Sequence, residues 1–221
     1  MTNEERKARH SRALEPNLIT DPRLKAEAEA KNGLRQYDYA VEAIQEALER
    51  GRFKLRLSLI LSLQRQALQG ISVYAGNFRP GDVKIEGSKH SPVGAHLVPE
   101  LVEELCDYIN DRWNSSSAFH LAAYAMWRLN WIHPFADGNG RTSRVLSFTV
   151  FSIKIGAVLP GTPTLPDLIV DHRQQYEDAL DAADAAFAGG KIDVSKMEEL
   201  VSALVARQLT NVHDMASRKN Q

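Results

Sequence analysis

Residues 130–144 constrain the fold more than any other part of the chain. Their sequence is NWIHPFADGNGRTSR. Pro134 cannot continue a helix, and the glycines of the dipeptides 137–138 and 139–140 allow backbone conformations that other residues resist. The run therefore predicts a sharp turn in the chain.

Apolar residues on both sides of this turn predict two helices. Residues 118–131 carry apolar side chains at helical spacing and place His133 at the C-terminal end of a buried helix. Residues 141–156 resume an apolar helical stripe, so the glycines of the turn lie at a helix N-terminus. Free backbone N–H groups at such an end form a site for an anion.

Three charged side chains belong to this helix N-terminus. Arg141 and Arg144 each offer a forked set of donors to phosphate oxygens, and two cations here oppose the helix dipole unless an anion is bound. Asp137 is an oxygen ligand suited to a Mg2+ ion that also binds substrate phosphates. Each residue taken singly also fits a plain corner between two helices, so it is the joint pattern that favours a phosphate site.

The fixed positions of this run resemble the signature of the Fic family, and residues 55–188 resemble a Fic domain. The matching positions are His133, Pro134, Phe135, Asp137, Gly138, Asn139, Gly140, Arg141 and Arg144. The resemblance implies a nucleotidyltransferase of the protein adenylyltransferase type. Such an enzyme transfers AMP from ATP to a hydroxyl side chain of a target protein and releases pyrophosphate, with Mg2+ as its cofactor.

The resemblance also implies a role for each residue of the run. His133 is expected to be the base that takes the proton from the attacking hydroxyl. Arg141 and Asn139 complete the implied catalytic set, with Arg141 on the charge of the transferred phosphate. Asp137 is expected to hold Mg2+ on the α- and β-phosphates.

The implied nucleotide-binding set overlaps with the catalytic one. Gly138, Asn139 and Gly140 form the anion cradle, Arg141 contacts the transferred phosphate, and Arg144 binds the terminal phosphate. Tyr176 resembles an aromatic residue that lines the adenine pocket, although an aromatic residue on a helix more often packs in the core.

One position of the cradle distinguishes two reactions within the family. Doc-like relatives, which phosphorylate their targets, carry a bulkier residue where this chain has Gly140. A side chain there would crowd the cradle and change the direction in which the nucleotide lies. Gly140 therefore favours AMP transfer.

Two other functions stay open at this stage. A hydrolase that removes AMP from a modified protein would need a second carboxylate to position water. A non-catalytic adaptor would only bind a nucleotide, and the presence of every chemical position of the motif disfavours it.

Residues 74–91 predict a second element of the site. They are rich in turn formers, and the alternation at 83–86 predicts a short β-hairpin, with a surface loop as the alternative. The family resemblance favours a hairpin flap at 83–86 that holds the target protein.

Residues 21–33 resemble a degenerate form of a regulatory helix. Many Fic proteins carry an inhibitory helix whose glutamate pairs with the second arginine of the motif, but this chain has Asn32 at that position. An amide cannot form the bidentate ion pair with Arg144. The segment is therefore interpreted as an inhibitory helix with a weakened effect, or as a helix that simply ends at Asn32-Gly33. Glu29 is the carboxylate nearest to Asn32 that could pair with Arg144 instead.

The remaining patterns predict an all-α fold, a Fic-like helical domain with one β-hairpin flap. Further helices are expected at residues 23–30, 36–49, 55–68, 99–113, 171–187 and 194–216. The predicted organisation is an N-terminal helical segment at 1–50, a Fic core domain at 51–190 and a C-terminal helix at 191–221.

Composition excludes several other classes. A chain of 221 residues with 43% hydrophobic residues can bury one sizeable core. A net charge of -1 argues against a nucleic-acid partner, and no run approaches the roughly 20 apolar residues that cross a membrane. The single cysteine, Cys106, and a charged N-terminus without an apolar run predict a cytoplasmic protein. The oligomeric state has no signal in the sequence.

Overall fold

The computed structural model describes residues 10–12, 15–16 and 18–219. These residues form α-helices, one short 3-10 turn and two short strands. The elements are β1 (His10–Arg12), α1 (Pro22–Arg50), α2 (Leu57–Leu68), β2 (Lys84–Glu86), the 3-10 turn (Ala95–Leu97), α3 (Val98–Asp111), α4 (Ala118–Ile132), α5 (Asn139–Ile155), α6 (Leu165–Asp171), α7 (Arg173–Ala188) and α8 (Ser195–Lys219). The predicted helical fold class is confirmed.

Helix α4 is the centre of the fold. Ser117 caps its N-terminus by accepting a hydrogen bond from the His120 N–H at 3.0 Å. The helix is buried over most of its length and packs against α3, α5, α7 and α8, with the Trp127 side chain fully buried. Its direct neighbour in sequence, α5, is also its main packing partner, so the turn between the two helices has a fixed position in the core.

Helix α1 runs without a break from Pro22 to Arg50, so the predicted interruption at Asn32-Gly33 is wrong. The buried Asn32 amide donates hydrogen bonds to the backbone carbonyls of Ala67 (3.3 Å) and Gln69 (2.8 Å). These contacts with the end of α2 favour the helical conformation at a position where local propensity favours a stop.

The terminal helices share the core of the central segment. Ala40 and Ile44 of α1 and Met197 and Val201 of α8 belong to the same buried cluster as α4. The three-part division of the chain at residues 50 and 190 stays a prediction. None of the helices among the described residues is long and apolar enough to span a membrane.

The predicted flap contains a strand, but the strand pairs with a distant part of the chain. Strand β2 falls within residues 83–86 as predicted. Its antiparallel partner is β1, with Ser11 opposite Ile85, whereas the sequence predicted a hairpin within residues 74–91. A local hairpin pattern cannot indicate a partner about 70 residues away, since sheet pairing depends on tertiary contacts as much as on sequence pattern.

A short helix, α6, covers residues 165–170, where the sequence predicted no helix, and ends at Asp171. Thr164 and Asp167 form a capping box at its start, and Pro166 lies in its first turn. The helix matters for the site because Ile169 and Val170 line the cavity described below.

Candidate active site

A cavity of about 950 Å3 lies over the turn between α4 and α5. All the residues that the sequence singled out for chemistry line it together: His133, Asp137, Gly138, Asn139, Gly140, Arg141, Arg144 and Tyr176. The other walls come from α1, from α6 and α7, and from β2 through Ile85. One concave site thus joins a base, cations, a carboxylate and a helix N-terminus, which is the arrangement expected of an active site.

His133 ends α4 in a left-handed conformation, with φ 53° and ψ 57°. Its Nδ1 lies 3.3 Å from the backbone carbonyl of Asn130. Because a carbonyl oxygen only accepts, Nδ1 must donate, and the neutral ring then carries its lone pair on Nε2. Nε2 is buried and has no hydrogen-bond partner among the described residues. The geometry therefore leaves a basic nitrogen available to a bound substrate.

Burial lowers the pKa of His133 from 6.5 to about 4. The nearby charges of Arg79 and His90 lower it further, whereas the hydrogen bond with Asn130 and the charge of Asp137 raise it. The imidazole is consequently neutral near pH 7, which is the form that can accept a proton.

This pKa shift predicts a pH dependence of stability. The unfolded chain binds a proton at His133 below pH 6.5, but the folded protein does so only near pH 4. The free energy of unfolding is therefore expected to decrease as the pH falls from 6.5 toward 4, by at most about 3 kcal/mol. Urea unfolding of wild type and of His133→Gln at several pH values measures the difference, and the exposed His213→Gln serves as the control. Equal pH slopes in wild type and His133→Gln would contradict the shift.

The Asn139 side chain holds the turn in shape by hydrogen bonds to the backbone of Phe135. Its Oδ1 accepts from the Phe135 N–H and its Nδ2 donates to the Phe135 carbonyl, both at 2.9 Å. The side chain of Asn139 thus fixes the loop, and any contact with a phosphate falls to its backbone N–H in the first turn of α5. Gly138 has φ 81°, and a Cβ there would lie 2.4 Å from Leu68 Cδ2, so only glycine fits.

The two motif arginines have different surroundings. The Arg141 guanidinium lies 3.3 Å from Asp137 Oδ2 and 3.7 Å from Glu29 Oε1. Arg144 is more enclosed, and burial lowers its pKa while a hydrogen bond with Tyr176 raises it. Both guanidinium groups line the cavity beside the α5 N-terminus, as a phosphate site requires.

Tyr176 lies both in the core and at the wall of the cavity. It is 7% exposed, and its hydroxyl accepts a hydrogen bond from Asn130 Nδ2 at 2.8 Å. Its hydroxyl also lies 3.5 Å from Ser143 Oγ. The ring thus packs in the core and also forms part of the cavity wall. A contact with adenine stays a prediction.

Arg79, which the sequence did not indicate, fixes the backbone of the turn between α4 and α5. The guanidinium is fully buried, and its Nε donates to the His133 carbonyl at 2.8 Å. The Arg79 N–H also donates to the Pro134 carbonyl at 2.9 Å, and its Nη atoms donate to the carbonyls of Gly81 and Val93. An arginine within a segment rich in turn formers carries no pattern that would reveal such contacts.

Gln64 and His90 were missed for the same reason. Gln64 Nε2 donates to the Asp137 carbonyl at 3.2 Å, and its Oε1 accepts from the Gly76 N–H. His90 Nε2 lies 2.7 Å from the Trp131 carbonyl. These contacts connect residues 70–94 to residues 130–144. The positions that they join are far apart in sequence.

The residues present fit a metal that is shared with a substrate. Asp137 Oδ1 accepts from the Gly138 N–H, Oδ2 faces Arg141, and the side chain is 39% exposed. No group of three or more histidine, cysteine or acidic side chains in the described part of the chain could hold a metal alone. A Mg2+ ion would need phosphate oxygens as further ligands, which suits an ion that prefers a few carboxylates together with substrate phosphates.

The chain is similar to known proteins of one family. Residues 54–150 match the model of the Fic/DOC family. The chain is 35% identical over 115 residues to the protein adenylyltransferase Fic of Drosophila willistoni, which is 51% of this chain and 22% of that protein. It is 32% identical over 152 residues to the protein adenylyltransferase Fic of Aedes aegypti, which is 66% of this chain and 28% of that protein.

A solved structure has the same fold. The Fic-1 fragment from C. elegans aligns with a TM-score of 0.62 and 23% identity, over 89% of this chain and 55% of that one. The helical fold and the motif together define a Fic-type domain. Residues 54–150 belong to the Fic/DOC family. The chain spans only about a quarter of the length of the two curated relatives.

Proposed function

We propose that the chain is a protein adenylyltransferase that transfers AMP from ATP to a hydroxyl side chain of a target protein. The observation that carries the proposal is the buried Nε2 of His133, which no described residue engages in a hydrogen bond and which lies beside a helix N-terminus with two arginines. Neither a phosphate-binding adaptor nor a structural corner would require a neutral base at that point. The names of the relatives given above support the same activity.

The reaction follows from the positions of these groups. The target hydroxyl gives its proton to His133 Nε2 as its oxygen attacks the α-phosphorus of ATP. A new P–O bond forms while the bond to the bridging oxygen of pyrophosphate breaks, and pyrophosphate leaves with the electron pair. Arg141, Arg144 and the N–H groups of the first turn of α5 stabilise the negative charge on the phosphates.

Mg2+ bound at Asp137 would neutralise charge on the α- and β-phosphates. Two hydrogen bonds hold Asp137 in position: the Gly138 N–H donates to its carboxylate Oδ1, and Gln64 Nε2 donates to its backbone carbonyl. Arg141 lies beside the same carboxylate, so a phosphate that enters the site meets the cation and the metal ligand together. Positioning and neutralisation of charge account for most of the rate in such transfers.

Gly140 supports transfer of AMP in preference to the terminal phosphate. A Cβ at this position would lie 3.2 Å from the Arg144 guanidinium, which is a tight contact. A larger side chain would therefore displace Arg144 from the place proposed for the terminal phosphate. With glycine, the cradle accepts the triphosphate with its α-phosphorus toward His133.

Removal of AMP from a modified protein is the second candidate function. Such a hydrolase would need a carboxylate that positions water, and Glu29 of α1 lines the cavity. The contact between Glu29 and Arg141 supports this candidate, because it brings a carboxylate close to the proposed phosphate site.

Incubation of the purified chain with labelled ATP, Mg2+ and a cell lysate separates the candidates. Transfer of label to a protein supports the adenylyltransferase. Loss of label from a previously modified protein supports the hydrolase. A chain that binds ATP but shows neither activity would be an adaptor, and the proposal would be wrong.

Glu29→Ala is expected to raise ATP-dependent labelling by about twofold to fivefold, the size of a partly exposed ion pair. Glu29 lies 3.7 Å from the Arg141 guanidinium and competes there with a phosphate, whereas the Asn32 amide donates to the Gln69 carbonyl just after α2. Initial labelling rates at a limiting ATP concentration measure the effect. Glu27→Ala, which removes a surface pair with Arg23 on the same helix, is the matched control.

An unchanged rate in Glu29→Ala would show that this carboxylate does not restrain the transferase. A loss of AMP removal in the same variant would instead support the hydrolase. The two outcomes are distinguishable because they are measured with different substrates, labelled ATP and a previously labelled protein.

A further inference from the structure

The edge of β2 is already paired in the structure. Strand β1 lies antiparallel to it, with His10 opposite Glu86, Ser11 opposite Ile85 and Arg12 opposite Lys84. Ile85 lines the same cavity as His133. Strand β1 therefore lies next to a residue that lines the proposed active site, on the strand where a target segment would add by main-chain pairing.

This pairing is short and easy to separate. It covers three residues in each strand, and an isolated pair of strands of this length is marginal in water. The exposed positions of Lys84 and Glu86 leave little apolar area to stabilise the pair.

The segment that follows β1 keeps the strand close to β2. Ser72 Oγ donates to Glu15 Oε2 at 2.6 Å, three residues beyond the end of β1. Ile19 packs against a buried cluster of Ala67, Leu68 and Ile71 at the end of α2. A tether this short gives the strand a high effective concentration at β2, on the order of millimolar.

We infer that His10–Arg12 is a resident competitor for the polypeptide-docking edge of β2, and that a target segment must displace it before AMP can be transferred. This inference rests on the proposed function, because competition matters only if a target docks there. A weak pairing combined with a high local concentration gives a restraint that a target protein can overcome. The occupant of the edge is thus the chain itself until a target arrives.

Ser11→Pro tests the inference in the full chain, with Ser11→Ala as the matched control. Proline removes a backbone donor and disfavours strand pairing, whereas alanine leaves the main chain able to pair. Amide hydrogen exchange at Lys84–Glu86 is expected to be faster in Ser11→Pro only. Labelling of lysate proteins with labelled ATP is expected to rise by roughly threefold to tenfold in the same variant, as the loss of a tethered competitor predicts.

A synthetic peptide with the sequence of residues 1–16 provides the reverse experiment. Added at millimolar concentration to Ser11→Pro, it is expected to return labelling toward the wild-type rate. A peptide of the same composition in scrambled order is expected to have no effect.

Four results would overturn the inference. Unchanged exchange at Lys84–Glu86 in Ser11→Pro would show that β1 does not protect β2. Faster exchange with unchanged labelling would show that targets do not use this edge, while the adenylyltransferase itself stands. Label found on Ser11 would make the segment a substrate instead of a competitor. The absence of labelling by every variant would overturn the proposed function and the inference together.

Discussion

His133→Ala is expected to reduce AMP transfer by about 10²- to 10⁴-fold, the usual contribution of a general base. The loss follows from removal of Nε2, the ring nitrogen that has no hydrogen-bond partner within the described part of the chain. ATP binding is expected to change little, because the phosphates are assigned to Arg141, Arg144 and the α5 N-terminus. Single-turnover labelling with saturating ATP measures the first quantity, and ATP titration measures the second.

The control for this experiment is His213→Ala, which removes an exposed histidine from α8. It is expected to label at the wild-type rate. If His133→Ala retains substantial labelling, the base assignment is wrong. If it loses ATP binding to the same degree, the residue supports the fold of the turn instead of the transfer of a proton.

Asp137→Ala is expected to abolish both most of the activity and its dependence on Mg2+. A metal that neutralises the phosphates is worth several kcal/mol in the transition state, or about 10²-fold or more in rate. Asp137 is the acidic residue of the turn between α4 and α5, and its carboxylate lies beside Arg141 at the proposed phosphate site. Labelling rates over a Mg2+ titration, in wild type and variant, measure the effect.

The matched control is Asp38→Ala, an exposed carboxylate on α1 away from the cavity. Its Mg2+ curve is expected to superimpose on that of wild type. A wild-type enzyme that labels equally well in the presence of a chelator would exclude the metal role. An Asp137→Ala variant with a normal Mg2+ curve would assign the ligand to another residue.

The sequence predicted the turn between α4 and α5 well, because the residues that specify this turn are close together in sequence. Proline and glycine determine where the chain turns, and the apolar periodicity determines where α4 and α5 begin and end. The chemical side chains lie within twelve positions of one another, so a correct turn brings them together without knowledge of the rest of the fold. The structure accordingly places His133, Asp137, Arg141 and Arg144 in one cavity.

The features that the sequence did not predict depend on contacts between distant residues. Arg79 reaches the His133 carbonyl across 54 positions of the chain, and Asn32 reaches the Gln69 carbonyl across 37. In both cases a polar side chain satisfies buried carbonyls that no local pattern identifies. The interruption predicted at Asn32-Gly33 was wrong because these tertiary hydrogen bonds outweigh a weak local preference.

The hydrogen bonds between the Asn139 side chain and the Phe135 backbone bear on how the substrate specificity of such a protein can change. Part of the turn is held by bonds internal to residues 135–139, which involve no residue of the other cavity walls. The walls that would meet the nucleotide base, α6 and α7, and the strand that would meet a polypeptide, β2, are separate elements. Substitutions in these walls can therefore alter what is bound while the reacting groups keep their geometry, so recognition and catalysis can diverge independently.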